Sequence, residues 1–323
     1  MNHSSAAGAT ASPTSSWQAR QWIIVAIAFA ATAALVMCWR WGGTIEDSLA
    51  YFNTARYLRG EIAFDALRAP FPYRLAMPAL AALLPGDVRN NFALLNWLAM
   101  SAAALMLAVA AARAGLSNAR AIGAGLLLLV SVPTFWYAPY LLTDPGSICA
   151  RAAFVLGVVT GAPWLSLAAG LAGTAVREEN ILLLAWLLAT RRTSVPTGIL
   201  FLALAGAWLV AVRWWILPGL PSYTWVPNIG TLLNALQDKR GMLSLAAASV
   251  IVLPLAAAGW RHCAPRLAPL KGLAILMALP PLYATLSVRV EGRIVWDLYP
   301  FLLPIAVCAF PQAGAARRHG AAL

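Results

Sequence analysis

Long apolar stretches alternate with short polar clusters along this chain, and the lengths of those stretches set the first expectation. Runs such as QWIIVAIAFAATAALVMCW (Gln21 to Trp39) and AIGAGLLLLVSVPTFWYAPY (Ala121 to Tyr140) match the roughly 20 helical residues that cross a hydrocarbon core about 30 Å thick. Ala- and Leu-rich runs of this length predict helices rather than a porin-type barrel, because a helix satisfies its own backbone hydrogen bonds in lipid. Segments are predicted at 21–39, 91–112, 121–140, 145–161, 163–176, 180–190, 196–214, 244–260, 271–288 and 298–311. The expected fold class is all-α, a polytopic transmembrane helical bundle of about ten crossing segments. Residues 21–311 are predicted to form a single transmembrane domain, with a disordered cytoplasmic tail at 1–20 and a second tail at 312–323. Composition agrees: with 61% hydrophobic residues, 11% charged residues and a mean hydropathy of +0.74, a soluble domain of 323 residues could not hide its apolar side chains.

Two intervals, 40–90 and 215–243, are too long to be plain connectors. In the first, DSLAYFNTARYLRG from Asp47 places Leu49, Tyr51 or Phe52, Ala55 and Leu58 at helical spacing, and RLAMPALAALLPGD gives a short apolar helix ending at Pro85 and Gly86. Two helices lying along the membrane surface are expected there. The second contains PGLPSYTWVPNIG and a short helix near Thr231 to Asp238, with Tyr223 and Trp225 suited to an interface or a sugar.

Charge then orients the bundle. Placing the amino terminus in the cytoplasm gathers Arg20, Arg113, Arg120, Arg191, Arg192, Arg261, Arg266, Lys271, Arg317 and Arg318 on that side, which is the positive-inside pattern. All eleven acidic residues then fall at outer positions, and the three histidines, His3, His262 and His319, fall inside. Outer chemistry therefore has no histidine, which excludes a Ser-His-Asp hydrolase or a His-ligated zinc centre on that face. The net charge of +12 is spread over separated loops rather than one stripe, so nucleic acid is not an expected partner. Cys38, Cys149, Cys263 and Cys308 show no metal-like spacing and predict no disulfide framework.

Glu46 and Asp47 follow the first span and begin the surface helix. They can act as a general base, help hold a divalent cation, or simply cap the helix. Arg68, Arg74, Arg151, Arg177 and Arg293 form a complementary basic set whose planar forks suit a phosphate. Asp144 either caps the fourth segment or joins that set, and Arg151 either faces a cavity or snorkels to headgroups. Arg177-Glu178-Glu179 interrupts two short apolar segments and must be hydrated or paired. Before the last span, Arg289, Glu291, Arg293 and Asp297 alternate in sign.

This arrangement resembles the superfamily of multi-spanning glycosyltransferases of the C-type fold, which use polyprenyl-phosphate-linked sugars. Asp47 in DSLAYFNTARYLRG, with Glu46 as the alternative, matches the acidic residue of the first outer loop, and FPYRLAMPALAALLP (Phe71 to Pro85) resembles the YR-x-x-x-P helix of related bacterial proteins. The resemblance implies an outer-face site in a bacterial inner membrane with both termini cytoplasmic. Asp47 would be the base of an inverting transfer to an acceptor that stays undefined. Arg74, Arg151, Arg177 and Arg293 would hold the lipid phosphate, supported by Tyr51, Tyr73, Asp144, Glu178 and Glu179. The bilayer and a lipid-linked sugar are the implied partners. No clear DxD pair is present, so a magnesium or manganese cofactor is left open. A flippase for a lipid-linked or anionic solute and a non-catalytic envelope-assembly protein are the competing classes.

Overall fold

A computed structural model describes residues 18–45, 47–220, 226–288 and 290–310. Glu46, Tyr223, Trp225 and Arg289 lie outside the described residues, as do the two tails apart from residues 18–20. In chain order the α-helices are α1 (Ala19–Met37), α2 (Asp47–Leu58), α3 (Ala76–Leu83), α4 (Val88–Arg113), α5 (Asn118–Leu129), α6 (Val132–Tyr137), α7 (Asp144–Thr160), α8 (Pro163–Val176), α9 (Ile181–Ala189) and α10 (Val195–Ala211). They continue with α11 (Ile229–Ala235), α12 (Lys239–Ser249), α13 (Val252–Arg261), α14 (Pro269–Met277), α15 (Leu279–Ser287), α16 (Arg293–Trp296) and α17 (Tyr299–Ala306). An isolated bridge between Gly43 and Tyr140 is the one β pairing among the described residues.

Among the described residues, six helical runs are long and apolar enough to cross a bilayer: Ala19–Arg40, Val88–Arg113, Asn118–Tyr137, Val195–Ile216, Lys239–Arg261 and Pro265–Ser287. The chain is therefore a polytopic helical membrane protein. The other four stretches expected to cross are also helical but shorter, as α7, α8, α9 and α17, so ten crossings remain an expectation of the sequence alone. Arg177 to Asn180 divides α8 from α9, giving two short helices rather than one long one that would carry charges through its middle.

Packing follows the solvent. In α1, Val25, Phe29, Ala33 and Met37 recur every fourth residue and are buried, while Ile23, Ile24, Ile27 and Leu35 on the other face are exposed. Both faces are apolar because one meets protein and the other meets lipid. By contrast α17 is buried at every position from Tyr299 to Ala306, although it is only eight residues long. It sits among α4, α5, α7, α13 and α14, and this central place makes the residues just before it, on α16, part of the protein interior.

The interval 40–90 carries the two helices predicted in it. Helix α2 begins at Asp47 and α3 follows at Ala76. A second apolar cluster, including Tyr51, Ala55, Met77, Phe92, Leu141 and Val176, fixes these helices to α4 and α8. The bundle has two chemically distinct ends. Arg266 donates to the Arg113 carbonyl (2.8 Å) and Arg120 to that of Phe310 at one end. The acidic residues at 144, 178, 179, 291 and 297 meet arginines at the other.

Candidate functional site

Asp47 is the first residue of α2, placed just past α1 by the loop that carries the Gly43–Tyr140 bridge. Its carboxylate meets a side chain 246 positions away: Arg293 Nη2 donates to Asp47 Oδ2 at 2.9 Å. Arg293 opens α16, where Gly292 lies so close to the Ser244 carbonyl that any Cβ at this position would collide with it. The close approach seats α16 against α12 and aims Arg293 back across the bundle. Arg293 also binds Glu291 (2.6 Å) and comes within 4.0 Å of Asp144. Burial opposes its charge, but the carboxylates of Glu291, Asp144 and Asp47 outweigh that and hold the guanidinium firmly protonated.

Behind this pair lies a buried charge network. Arg177 binds Asp144 (2.8 Å), Asp297 (2.9 Å) and Glu179 (2.7 Å). Arg151 binds Glu179 (3.1 Å), the Asp297 carbonyl (2.7 Å) and Asn180 Oδ1 (2.7 Å). Asn180 in turn donates to Ser147 and to the Gly173 carbonyl. Burial would raise the Glu179 carboxyl, but Arg177 and Arg151 pull it down to about 2. A smaller group lies beside the network. Arg74 donates to Tyr51 (2.6 Å) and Glu178 (3.2 Å), while Arg213 reaches Glu178 (3.5 Å) and lies 4.7 Å from the centre of the Tyr73 ring. Burial raises the Tyr51 phenol despite Arg74, so it stays neutral.

On the far side of Arg293 opens a cavity of about 330 Å³ lined by Arg40, Trp136, Tyr137, Tyr140, Asp238, Arg240, Glu291 and Arg293. Arg40 donates to the Tyr140 hydroxyl and stacks on Trp39 at 4.0 Å. Among the described residues, neither Arg40 nor Arg240 forms an ion pair with a carboxylate.

Several sequence expectations change here. Asp144 is not a helix cap: Thr143 holds that position without a side-chain cap, and the Asp144 carboxylate is spent on Arg177. Arg151 does not snorkel, because it is 1% exposed and enclosed by Glu179, Asn180 and Asp297. Tyr73 donates to the Leu220 carbonyl instead of facing the network. Arg68 is exposed and is not brought to the cluster. Sequence reasoning missed Arg40, Arg240, Arg213 and Asn180. The first was legible as a cation just past the first span, whereas the others acquire meaning only through partners distant in sequence. Among the described residues, no group of three or more His, Cys, Asp or Glu is gathered to hold a metal ion. The clustered carboxylates among the described residues face guanidiniums instead.

This helical architecture has a counterpart among solved structures. A solved structure that shares it is ArnT from Cupriavidus metallidurans bound to undecaprenyl phosphate, at a TM-score of 0.57 and 18% identity over 94% of this chain. The chain spans 62% of the length of that protein. No family model and no curated protein matches the sequence.

Proposed function

We propose that this protein is a membrane glycosyltransferase that moves a sugar from a polyprenyl-phosphate donor to an acceptor hydroxyl, with Asp47 as base. The observation that carries the reading is the Asp47–Arg293 pair at the edge of a cavity that Arg40 and Arg240 also line, neither paired with a carboxylate among the described residues. A carboxylate beside concentrated positive charge is what an inverting displacement needs. The acceptor oxygen attacks the anomeric carbon as its proton passes to Asp47, the bond from that carbon to the phosphate oxygen breaks, and arginine takes up the charge of the leaving phosphate. The fold shared with ArnT, a protein crystallised with undecaprenyl phosphate, supports a lipid-linked donor.

The charge balance supports a phosphate seat at Arg40, Arg240 and Arg293. Arg151 and Arg177 together face the three carboxylates of Asp144, Glu179 and Asp297, which leaves them little attraction for a further anion. Trp136, Tyr137 and Tyr140 offer apolar ring surface to a sugar in the same cavity.

The test is release of polyprenyl phosphate from a panel of lipid-linked sugars by the protein in nanodiscs, comparing wild type with Asp47→Asn. Loss of a positioned base lowers the rate by roughly 10²- to 10⁴-fold. Asp47 is partly exposed, so the variant should keep the wild-type melting temperature. Failure to consume any donor, while a labelled lipid-linked sugar crosses the membrane equally with either form, would replace catalysis by transport.

A further inference from the structure

At the ends of α8 and α9 remote from the charge network, a second cavity gathers two arginines that pair with no carboxylate among the described residues. Helix α8 meets the network at Arg177 and begins at Pro163, so its amino end lies about 20 Å away at roughly 1.5 Å per residue. Helix α9 returns from the network to Ala189, and the turn into α10 carries Arg191 and Arg192. These two, with Trp164 and Leu167 of α8 and Ser194 and Thr197 at the start of α10, line a cavity of about 520 Å³. None of them lines the cavity beside Asp47 and Arg293.

The backbone carries a side chain here at a conformational cost. The Arg191 N–H donates to the Leu188 carbonyl (3.1 Å) and the Arg192 N–H to the Leu187 carbonyl (3.0 Å), a helix ending that puts Arg191 in the left-handed region at φ 53°. Glycine is the usual occupant of that position, and every other residue of positive φ among the described residues is a glycine, including Gly161 at the end of α7. Arg192 lies 5.3 Å from the centre of the Trp186 ring, and the Ser194 and Thr197 hydroxyls bond each other at 2.7 Å. Two guanidinium forks beside hydroxyls suit the oxygens of a phosphate. The other wall is apolar. Trp164 meets Phe201 edge to face at 5.9 Å yet is 66% exposed, and Val195, Ile199 and Leu200 are exposed on α10. A soluble phosphate matches only the arginines, whereas a lipid matches both walls. We infer that this cavity binds the phosphate headgroup of an anionic membrane lipid, with its acyl chains along the exposed apolar face of α8 and α10.

The test titrates the delipidated full chain in detergent with phosphatidylglycerol or phosphatidylcholine and reads bound lipid by native mass spectrometry, with inorganic phosphate as competitor. Phosphatidylglycerol should bind in preference to phosphatidylcholine. Arg191→Gly and Arg192→Gln should each weaken it by roughly 10-fold or more, the scale of a lost charge-assisted hydrogen bond. Arg191→Gly also relieves the left-handed backbone, so its melting temperature without lipid should equal or exceed that of wild type, which separates loss of the site from loss of the fold. Unchanged phosphatidylglycerol affinity in both variants, or equal binding of phosphatidylcholine by wild type, would overturn the site. Inorganic phosphate that binds as tightly as phosphatidylglycerol would overturn its assignment to a lipid.

Discussion

Two groups of arginines stand only a few side chains apart and have opposite electrostatic circumstances. Arg151 and Arg177 are enclosed by Asp144, Glu179 and Asp297, and they tie α7, the α8–α9 turn and the segment before α17 into one body. Arg40 and Arg240 line a cavity and pair with no carboxylate among the described residues, and Arg293 belongs to both regions through Asp144 and Asp47. The same residue type is thus used for cohesion in one place and offered to an anion in the other. What decides the use is whether acids were brought to it on folding.

The sharpest way to break the comparison is to remove a cation from each group. Arg151→Met leaves Glu179 and Asp297 with one guanidinium fewer in a buried setting, and breaking a buried pair costs about 3–5 kcal/mol. The expected result is a large drop in melting temperature or loss of folded protein from detergent extracts. Arg40→Gln and Arg240→Gln should leave the melting temperature nearly unchanged, while the binding of polyprenyl phosphate weakens. A charge-assisted hydrogen bond is worth about 1.5–3 kcal/mol, so each change should cost roughly 10- to 100-fold in affinity measured by competition with a labelled lipid phosphate.

Acid separates the two groups more gently. The Glu179 carboxyl is lowered from 4.5 to about 2 in the folded protein, so the folded state binds its proton less readily than the unfolded chain does. Its contribution to stability is complete above about 4.5 and is lost as pH falls through that window towards 2. Melting temperature followed from pH 7 downward should therefore fall in this range, and Glu179→Gln should remove part of the slope. The smallest effect belongs to Arg56 and Glu61, an exposed pair at 3.1 Å. Glu61→Gln should change stability by no more than about 1 kcal/mol, as for other surface ion pairs. A change as large as that of Arg151→Met would remove the distinction between the enclosed and the exposed arginines.

Much of the fold was legible because lipid imposes a length rule. The stretches at 21–39, 91–112 and 163–176 became α1, α4 and α8 almost residue for residue, and the charges at Arg177 to Glu179 marked the break before α9. Asp47 was readable as the start of α2, since a carboxylate suits the amino end of a helix. Less of the site was legible. Asp144 looks the same in sequence whether it caps α7 or binds Arg177, and Arg240 in the run QDKRG gives no sign that it will line a cavity with Arg40.

The sequence by itself determined where the chain is helical, which solvent those helices need, and that the intervals carrying ten of its 23 cations hold no acid. Those properties depend on hydrophobicity and spacing within about 20 residues. Tertiary structure alone decided that Asp47 meets Arg293, that acids enclose Arg151, and that Arg240 lines a cavity with Arg40. Each of those outcomes joins residues 28 or more positions apart or depends on such a junction. The strength of a charge pair depends on distance and burial, which only the packed bundle fixes.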